Sequence, residues 1–456
     1  MFVEPGAISR VATKSWYSVQ VGFIVQGLPG EGYHGGALTC WSVIRALVKA
    51  GHQVCVVSLF DVTDGNPYLA SRGRQEEALR REGVELVVIE YEMNRLAGSR
   101  GGSFADKIGR WAGRLYDRPQ GLAYVMPWVK LSERVRTALA ERTCDVFLCY
   151  HFDALSAVAT LGLSPLMAAV GDLWHLPGYF RWRDSPFTLD KYPVRGLKTF
   201  LDSMLAQQAM ATSLKAVHRC GAFAGHYADW LKTHGRSDAL YFRTPVPDAA
   251  GSQWEMLRDK AHARRTAGRH RVLLVGDLGT TSTSSGLRSV VRAVLPRLVS
   301  EFGEDGFELR LMGGGVPPSD VAEELRKPYV RLLGRVVPAD PEFLSADAMI
   351  VPTNIPLGIR VRVITAWSFG CPVIAHRANA AGIPEMRSED NALLADTDAQ
   401  LGMAVIRVLR DSALRKRLSV GGRGTYERYF SESVAGQAIV DELDRLAAMY
   451  RSPAVQ

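Results

Sequence analysis

The residues best suited to chemistry fall into three groups. Tyr150-His151-Phe152-Asp153 and Gly171-Asp172-Leu173-Trp174-His175 each place titratable side chains behind a short apolar run, and Gly358-Ile359-Arg360-Val361-Arg362 places two arginines behind another. A carboxylate or imidazole at a strand end can orient or deprotonate a hydroxyl, and an arginine can hold a phosphate through a directional, charge-assisted fork. Together they suit transfer chemistry on a phosphorylated substrate. Each group also has a structural reading. His151 could cap the following helix, Asp172 could brace a turn, His175 could pack beside Trp174, and the arginines could be exposed helix residues. No side-chain nucleophile with a matching base and orienter stands out. The histidines and scattered cysteines have no metal-ligand spacing.

The apolar runs that must carry these residues read as parallel strands. In the C-terminal half, Val272–Val275 precedes Gly276, Glu308–Met312 precedes Gly313-Gly314-Gly315, Ala348–Val351 precedes Pro352, and Pro372–Ala375 follows Gly370. Helical segments fill the gaps, so the sheet presents its carboxyl ends to a ligand. In the N-terminal half, Val21–Gly27 runs into a glycine-rich loop ending at Gly35-Gly36, followed by a helical pattern over Ala37–Ala50. Without side chains, Gly35 and Gly36 allow backbone N–H groups to approach an anion or a sugar hydroxyl. The spacing matches neither the dinucleotide fingerprint nor the P-loop. Further strands are expected at Gln53–Leu59, Val84–Ile89, Asp145–Cys149, Leu166–Val170, Cys220–Ala224 and Ala239–Phe242, with a clear helix at Thr199–Ser213. Pro245 and Pro247 fix an extended exit from the first unit. The expected division is residues 1–250 and 265–430, with a final helix in 431–456 crossing back through Ile439, Leu443, Leu446 and Met449.

A chain of 456 residues with 47% hydrophobic content can bury two substantial cores. Cys40, Cys55, Cys144, Cys149, Cys220 and Cys371 lie mostly within apolar patterns and are expected to be buried thiols. No run approaches the roughly 18 apolar residues of a membrane span, and the first residues lack the pattern of a signal peptide. The expected location is cytoplasmic, with peripheral contact at the inner membrane face left open. The net charge of +8 favours anionic partners, but no zinc-finger, helix-turn-helix or long basic run points to specific nucleic-acid binding. The segment Arg95–Pro127 sets Arg95, Arg100, Lys107, Arg110, Arg114 and Arg118 against Phe104, Ile108, Trp111, Leu115 and Tyr116 at near-helical spacing. It reads either as a helix for an anionic membrane or acceptor, or as a solvated basic face.

In this order, the C-terminal motifs resemble those of the nucleotide-sugar-dependent glycosyltransferases of the GT-B fold, closest to glycosyltransferase family 4. The residues carrying the resemblance are Gly276-Asp277-Leu278, a helix opening around Ser284-Ser285-Gly286-Leu287, Met312-Gly313-Gly314, Val330 to Val336, Phe343 to Pro352 and Ala366 to Ala375. Gly35-Gly36, Gly51-His52 and Tyr429-Phe430-Ser431 extend it over most of the chain, with residues 61–140 and 175–210 contributing little.

The resemblance implies an α/β architecture of two Rossmann-like domains facing each other across a cleft. Its C-terminal domain would bind a nucleotide diphosphate sugar through Gly276, Asp277, Ser284, Ser285, Gly313, Gly314, Arg335, Val336, Gly358, Ile359, Arg360, Arg362 and Thr365. Its N-terminal domain would hold a saccharide, glycolipid or small-molecule acceptor through Gly35, Gly36, His151, Asp172, Trp174 and His175. Asp172, His151, His175, Arg360 and Arg362 would then serve catalysis in carbohydrate biosynthesis. The implied reaction retains anomeric configuration, with no tightly bound cofactor and no metal. The chain departs from the family pattern in several places. Asp277 and Ser284 or Ser285 stand where a basic pair is usual, Leu357 and Thr365 stand where two glutamates are usual, and Asp172 replaces a common histidine. These departures leave open an inverting enzyme with Asp172 as base, a nucleotide-sugar epimerase, or a non-catalytic sugar- or nucleotide-binding scaffold.

Overall fold

The computed structural model describes residues 18–30, 35–96, 126–184, 193–265 and 268–451. Strands β1 (Gln20–Gln26), β2 (Gln53–Asp61), β3 (Glu85–Tyr91), β4 (Val146–Tyr150), β5 (Leu166–Val170), β6 (Arg219–Ala222) and β7 (Leu240–Tyr241) form one sheet. Its order is β3-β2-β1-β4-β5-β6-β7, and every pair is parallel. A second parallel sheet, in the order β10-β9-β8-β11-β12-β13, contains β8 (His270–Val275), β9 (Phe307–Met312), β10 (Val330–Gly334), β11 (Ala348–Val351), β12 (Val373–His376) and β13 (Leu393–Ala395). Strand order reverses at β1/β4 and at β8/β11, and an open α/β sheet leaves a crevice at such a reversal.

Helices on both faces explain the apolar strands: β5 is buried at all its positions. The sequence reading missed β10 and β13 as strands. β10 is an edge strand with Arg331, Leu332 and Gly334 exposed, and β13 has only three residues, so neither carries a continuous apolar signal. β12 starts at Val373 rather than Pro372, because proline has no N–H for the ladder and only its carbonyl pairs, accepting from Met349 N.

The helices that bear on the crevices are α1 (Gly35–Lys49), α2 (His151–Val158), α3 (His175–Asp184), α4 (Pro193–Ser213), α5 (Gly225–Thr233), α6 (Thr281–Ser289), α7 (Val361–Ser368), α8 (Ser412–Tyr429) and α9 (Gln437–Arg451). The chain passes between domains twice, and the passages lie side by side. Val246 N donates to Phe430 O at 2.9 Å, and Tyr426 Oη donates to Val246 O at 2.9 Å. Arg423, only 3% exposed, ties α8 to the first passage through Asp248 at 2.6 Å. Beyond it, α9 returns to the first domain, where Ile439, Val440, Leu443, Leu446 and Ala447 join the core containing Ile44 and Leu47 of α1. Met449 remains exposed. All six cysteines are unpaired, five of them buried. No described helix is long and apolar enough to cross a membrane. Residues 97–125 of the basic segment lie outside the described residues.

Candidate functional site: a cleft between two parallel sheets

The carboxyl ends of both sheets open onto one cleft of about 860 Å³. Of the residues expected there, Gly35, Gly36, His151, Asp172, Trp174, Gly276, Asp277, Gly313, Gly314, Arg335, Val336, Ile359, Arg360, Arg362 and Thr365 line it. His175, Ser284, Ser285 and Gly358 do not. The helix starts of α1 and α7 meet across it: a Cβ on Gly35 would stand 2.8 Å from Val361 Cγ2. Two helix N-termini therefore converge on the same space.

On the C-terminal side, Gly276 follows β8 with φ +150, and a Cβ there would lie 2.2 Å from Arg362 Nη1. That missing side chain lets Arg362 cross the strand end and donate to Val275 O. Arg360 donates from Nε to Asn379 Oδ1 at 3.2 Å, while Asn379 is itself held by Thr353 O at 2.9 Å and His376 O at 2.7 Å. Arg360 Nη2 is buried without a hydrogen-bond partner. Burial and then the Arg360 charge pull the Arg362 guanidinium down to about 9. Burial likewise lowers Arg360, with Asp172 opposing it. Among the described residues, neither arginine has a carboxylate within ion-pair distance. Two enclosed cations without counter-ions beside glycine-bearing strand ends form a place for a polyanion.

The two serines expected near the donor point elsewhere. The helix was expected to open around Ser284, but α6 begins at Thr281, so Ser284 Oγ and Ser285 Oγ turn back to the carbonyls of Thr281 and Ser282. Thr280, Ser282 and Thr283 occupy the cleft wall instead. Asp277 faces the same end and accepts from Gly279 N at 2.9 Å. Leu357 lies off the cleft, packed with Ile355, Phe180 and Leu176. This apolar contact joins α3 to the loop before α7 and closes the place where a glutamate was expected from the resemblance. Thr365 Oγ1 donates to Val361 O at 3.1 Å while remaining part of the cleft wall. Arg335 reaches across to the Tyr68 ring, 5.3 Å from its centroid.

On the N-terminal side, His151 is a non-glycine residue with φ +69, directly after β4. Its Nδ1 accepts from Asp172 N at 3.3 Å, and its ring meets Tyr150 edge-on with centroids 4.1 Å apart. This joins the ends of β4 and β5. Asp172 opens onto the cleft yet lies between the two domains. That enclosure raises its carboxyl pKa, and Arg360 opposes the rise. Gly358, with φ +60, is packed so closely that a Cβ would be 2.1 Å from Asp172 Oδ1. Its N–H is taken by Tyr227 Oη at 2.5 Å, which gives it a place in the domain contact rather than at a phosphate.

His175, expected in the cleft, is a core residue, 7% exposed, with its ring 5.3 Å from Trp230. Burial and then the nearby His234 lower it to about 4, so it is neutral at physiological pH. Starting α3 with His175 turns its side chain inward, while Trp174 one residue earlier lines the cleft and meets Trp128 edge-on at 4.8 Å. Sequence reasoning missed Asn379 and Tyr227, which act across 19 and 131 residues respectively. No local spacing could have found either.

Two Rossmann-like domains facing a cleft define the GT-B fold, and the chain is related to the group 1 glycosyl transferases: residues 269–411 match the family described as glycosyl transferases group 1. Over 107 residues the chain is 41% identical to the lipopolysaccharide core biosynthesis glycosyltransferase LpsD of Rhizobium meliloti (strain 1021). That stretch covers 23% of this chain and only 30% of that protein's length. The structure is similar to sucrose-phosphate synthase from Thermosynechococcus elongatus, with TM-score 0.65, 14% identity, and coverage of 94% of this chain and 100% of the other. It is also similar to HepE from Anabaena in complex with UDP-glucose, with TM-score 0.60, 13% identity, and coverage of 94% and 100%.

Proposed function

We propose that the cleft binds a nucleoside diphosphate sugar on its C-terminal side and transfers the sugar to an acceptor hydroxyl on its N-terminal side. The observation that carries this reading is the Arg360–Arg362 pair, half-buried in the cleft wall, without ion-pair partners among the described residues and adjoining Gly276 at the end of β8. A diphosphate supplies the missing negative charge. Gly276 and Gly313 line the cleft beside the arginines, and Arg335 and Val336 border the same side. The UDP-glucose complex of HepE makes UDP the first nucleotide to test.

In the proposed reaction the acceptor oxygen attacks the anomeric carbon from the face that the diphosphate leaves. The bond from that carbon to the phosphate oxygen breaks, and the leaving oxygen takes the acceptor proton. Arg360 and Arg362 stabilise the charge that develops on it, where enclosure strengthens their effect. Configuration is retained. The two arginines perform the neutralisation otherwise given to a divalent metal, so we propose metal independence. Among the described residues there is also no His, Cys, Asp and Glu cluster suited to a metal. The similarity to LpsD, named for lipopolysaccharide core biosynthesis, favours a saccharide or glycolipid acceptor.

A second reading rests on Asp172, which faces the open cleft with a carboxyl pKa raised by the protein around it and can take a proton from the acceptor. That route inverts the anomeric centre. NMR of the product decides between them: a retained centre supports phosphate assistance, and an inverted one replaces it with Asp172 catalysis. Binding of UDP or another nucleoside diphosphate, lost on Arg362→Ala, tests the donor site. Absence of binding by any of them would refute the reading.

A further inference from the structure

The two walls of the cleft differ in charge. The C-terminal domain contributes Arg335, Arg360 and Arg362 together with Asp277 and Asp340, whereas among the described residues no lysine or arginine of the N-terminal domain lines it. That wall instead presents His151, Asp153 and Asp172. Asp153, in the first turn of α2, is 9% exposed, and its Oδ1 is buried without a hydrogen-bond partner. Ser156 Oγ bonds the Asp153 backbone carbonyl and leaves Oδ1 without a partner. An enclosed acceptor atom that nothing answers is a defect in a core and a contact in a binding site.

We propose that Asp153, beside Asp172, is an acceptor-binding residue that selects an unphosphorylated, polyhydroxylated acceptor by taking one of its hydroxyls. The proposal rests on the glycosyltransferase reading above and adds the acceptor class to it. A hydroxyl fits better than a phosphate because an acceptor phosphate at this wall would meet two carboxyl groups and no cation. It also fits better than an ammonium. Burial first, and the Asp172 charge second, hold the Asp153 carboxyl up to about 7, so at neutral pH the pair does not carry two full charges. A partly protonated carboxyl can accept from one hydroxyl and donate to another. The same opposition separates the ligands: a diphosphate belongs on the arginine wall, and a polyol on the carboxyl wall.

The test uses the full chain saturated with UDP and follows saturation-transfer NMR from the protein to methyl glucoside, methyl galactoside and methyl mannoside, in parallel with the corresponding hexose 6-phosphates. The expected result is transfer to a neutral hexoside in preference to its phosphate. Asp153→Leu should weaken it by about tenfold or more, and Asp153→Asn, which keeps a hydrogen-bonding oxygen, should weaken it less. UDP affinity should be the same in both variants. Stronger binding of the phosphates, neutral binding unaltered by Asp153→Leu, or no hexoside binding up to about 100 mM each overturns the proposal. A wild-type protein that fails to bind UDP at all marks the failure of the donor reading instead.

Discussion

Replacing Gly358 by alanine probes the contact that sets one domain against the other. An added Cβ would stand 2.1 Å from Asp172 Oδ1, so Asp172 must retreat by about 1.3 Å to restore the 3.4 Å of ordinary contact. The backbone at φ +60 adds about 1–2 kcal/mol for any residue bearing a Cβ. Gly162 separates these terms: its φ is +68 and nothing lies within 4 Å of a Cβ placed there, so Gly162→Ala incurs the backbone cost alone. Gly358→Ala should be destabilised beyond that control by about 1–3 kcal/mol, the usual cost of overpacking. It should also displace Asp172 relative to Arg360 and slow transfer by about a hundredfold, as a displacement of about an ångström does at a reacting centre. Urea unfolding measures the first effect, and release of nucleoside diphosphate measures the second. Equal stability and full activity in the two glycine variants would refute this view of the domain contact.

Asp153→Asn isolates one carboxyl in the pH dependence. The folded-state pKa near 7 lies above the unfolded value of about 3.9, so wild-type stability falls as pH rises between those values and then levels off. The variant should lose that component, gaining on wild type between about pH 4 and 7 in thermal unfolding and keeping that gain above pH 7; parallel curves would contradict it. Leu443→Ala empties a fully buried site where α9 meets α1 and should cost about 2–5 kcal/mol in urea unfolding while leaving nucleotide affinity intact. Arg423→Ala strips the buried partner from Asp248 and from Ser368 O beside the two domain passages. A loss of about 1–3 kcal/mol is expected, because Ser368 O loses a buried donor while the exposed Asp248 regains water, and adding Asp248→Ala should change it little in a double-mutant cycle.

Much of this molecule is visible in its sequence because parallel strands buried on both faces leave continuous apolar runs, and glycine or proline marks their ends. β5 matches its expected span of Leu166–Val170 residue for residue, and Arg360 and Arg362 could be singled out as a pair from their position after such a run. The remaining features depend on partners distant in the chain. Leu357 meets Phe180 from the other domain, and Asp153 is distinguished by an unpaired oxygen that only tertiary burial creates. His175 differs from Trp174 in which side of a helix start it occupies, and sequence alone treated both as cleft residues. The serines of α6 show the same limit at closer range, since a three-residue shift in a helix start exchanged Ser284 for Thr281 as the first helical residue.

The central claim is a diphosphate site built on Arg360 and Arg362. It is tested most directly by thermal unfolding in the presence of UDP, GDP, ADP and TDP, for wild type and for Arg360→Ala and Arg362→Ala singly. At a hundredfold excess over Kd, a bound nucleotide stabilises by about 2.7 kcal/mol, and removal of one charge-assisted contact should reduce affinity by about ten- to a hundredfold. The expected result is a selective rise in Tm with one nucleotide that falls away in at least one arginine variant. An equal rise in all three proteins, or no rise with any nucleotide, would contradict a diphosphate site at these arginines.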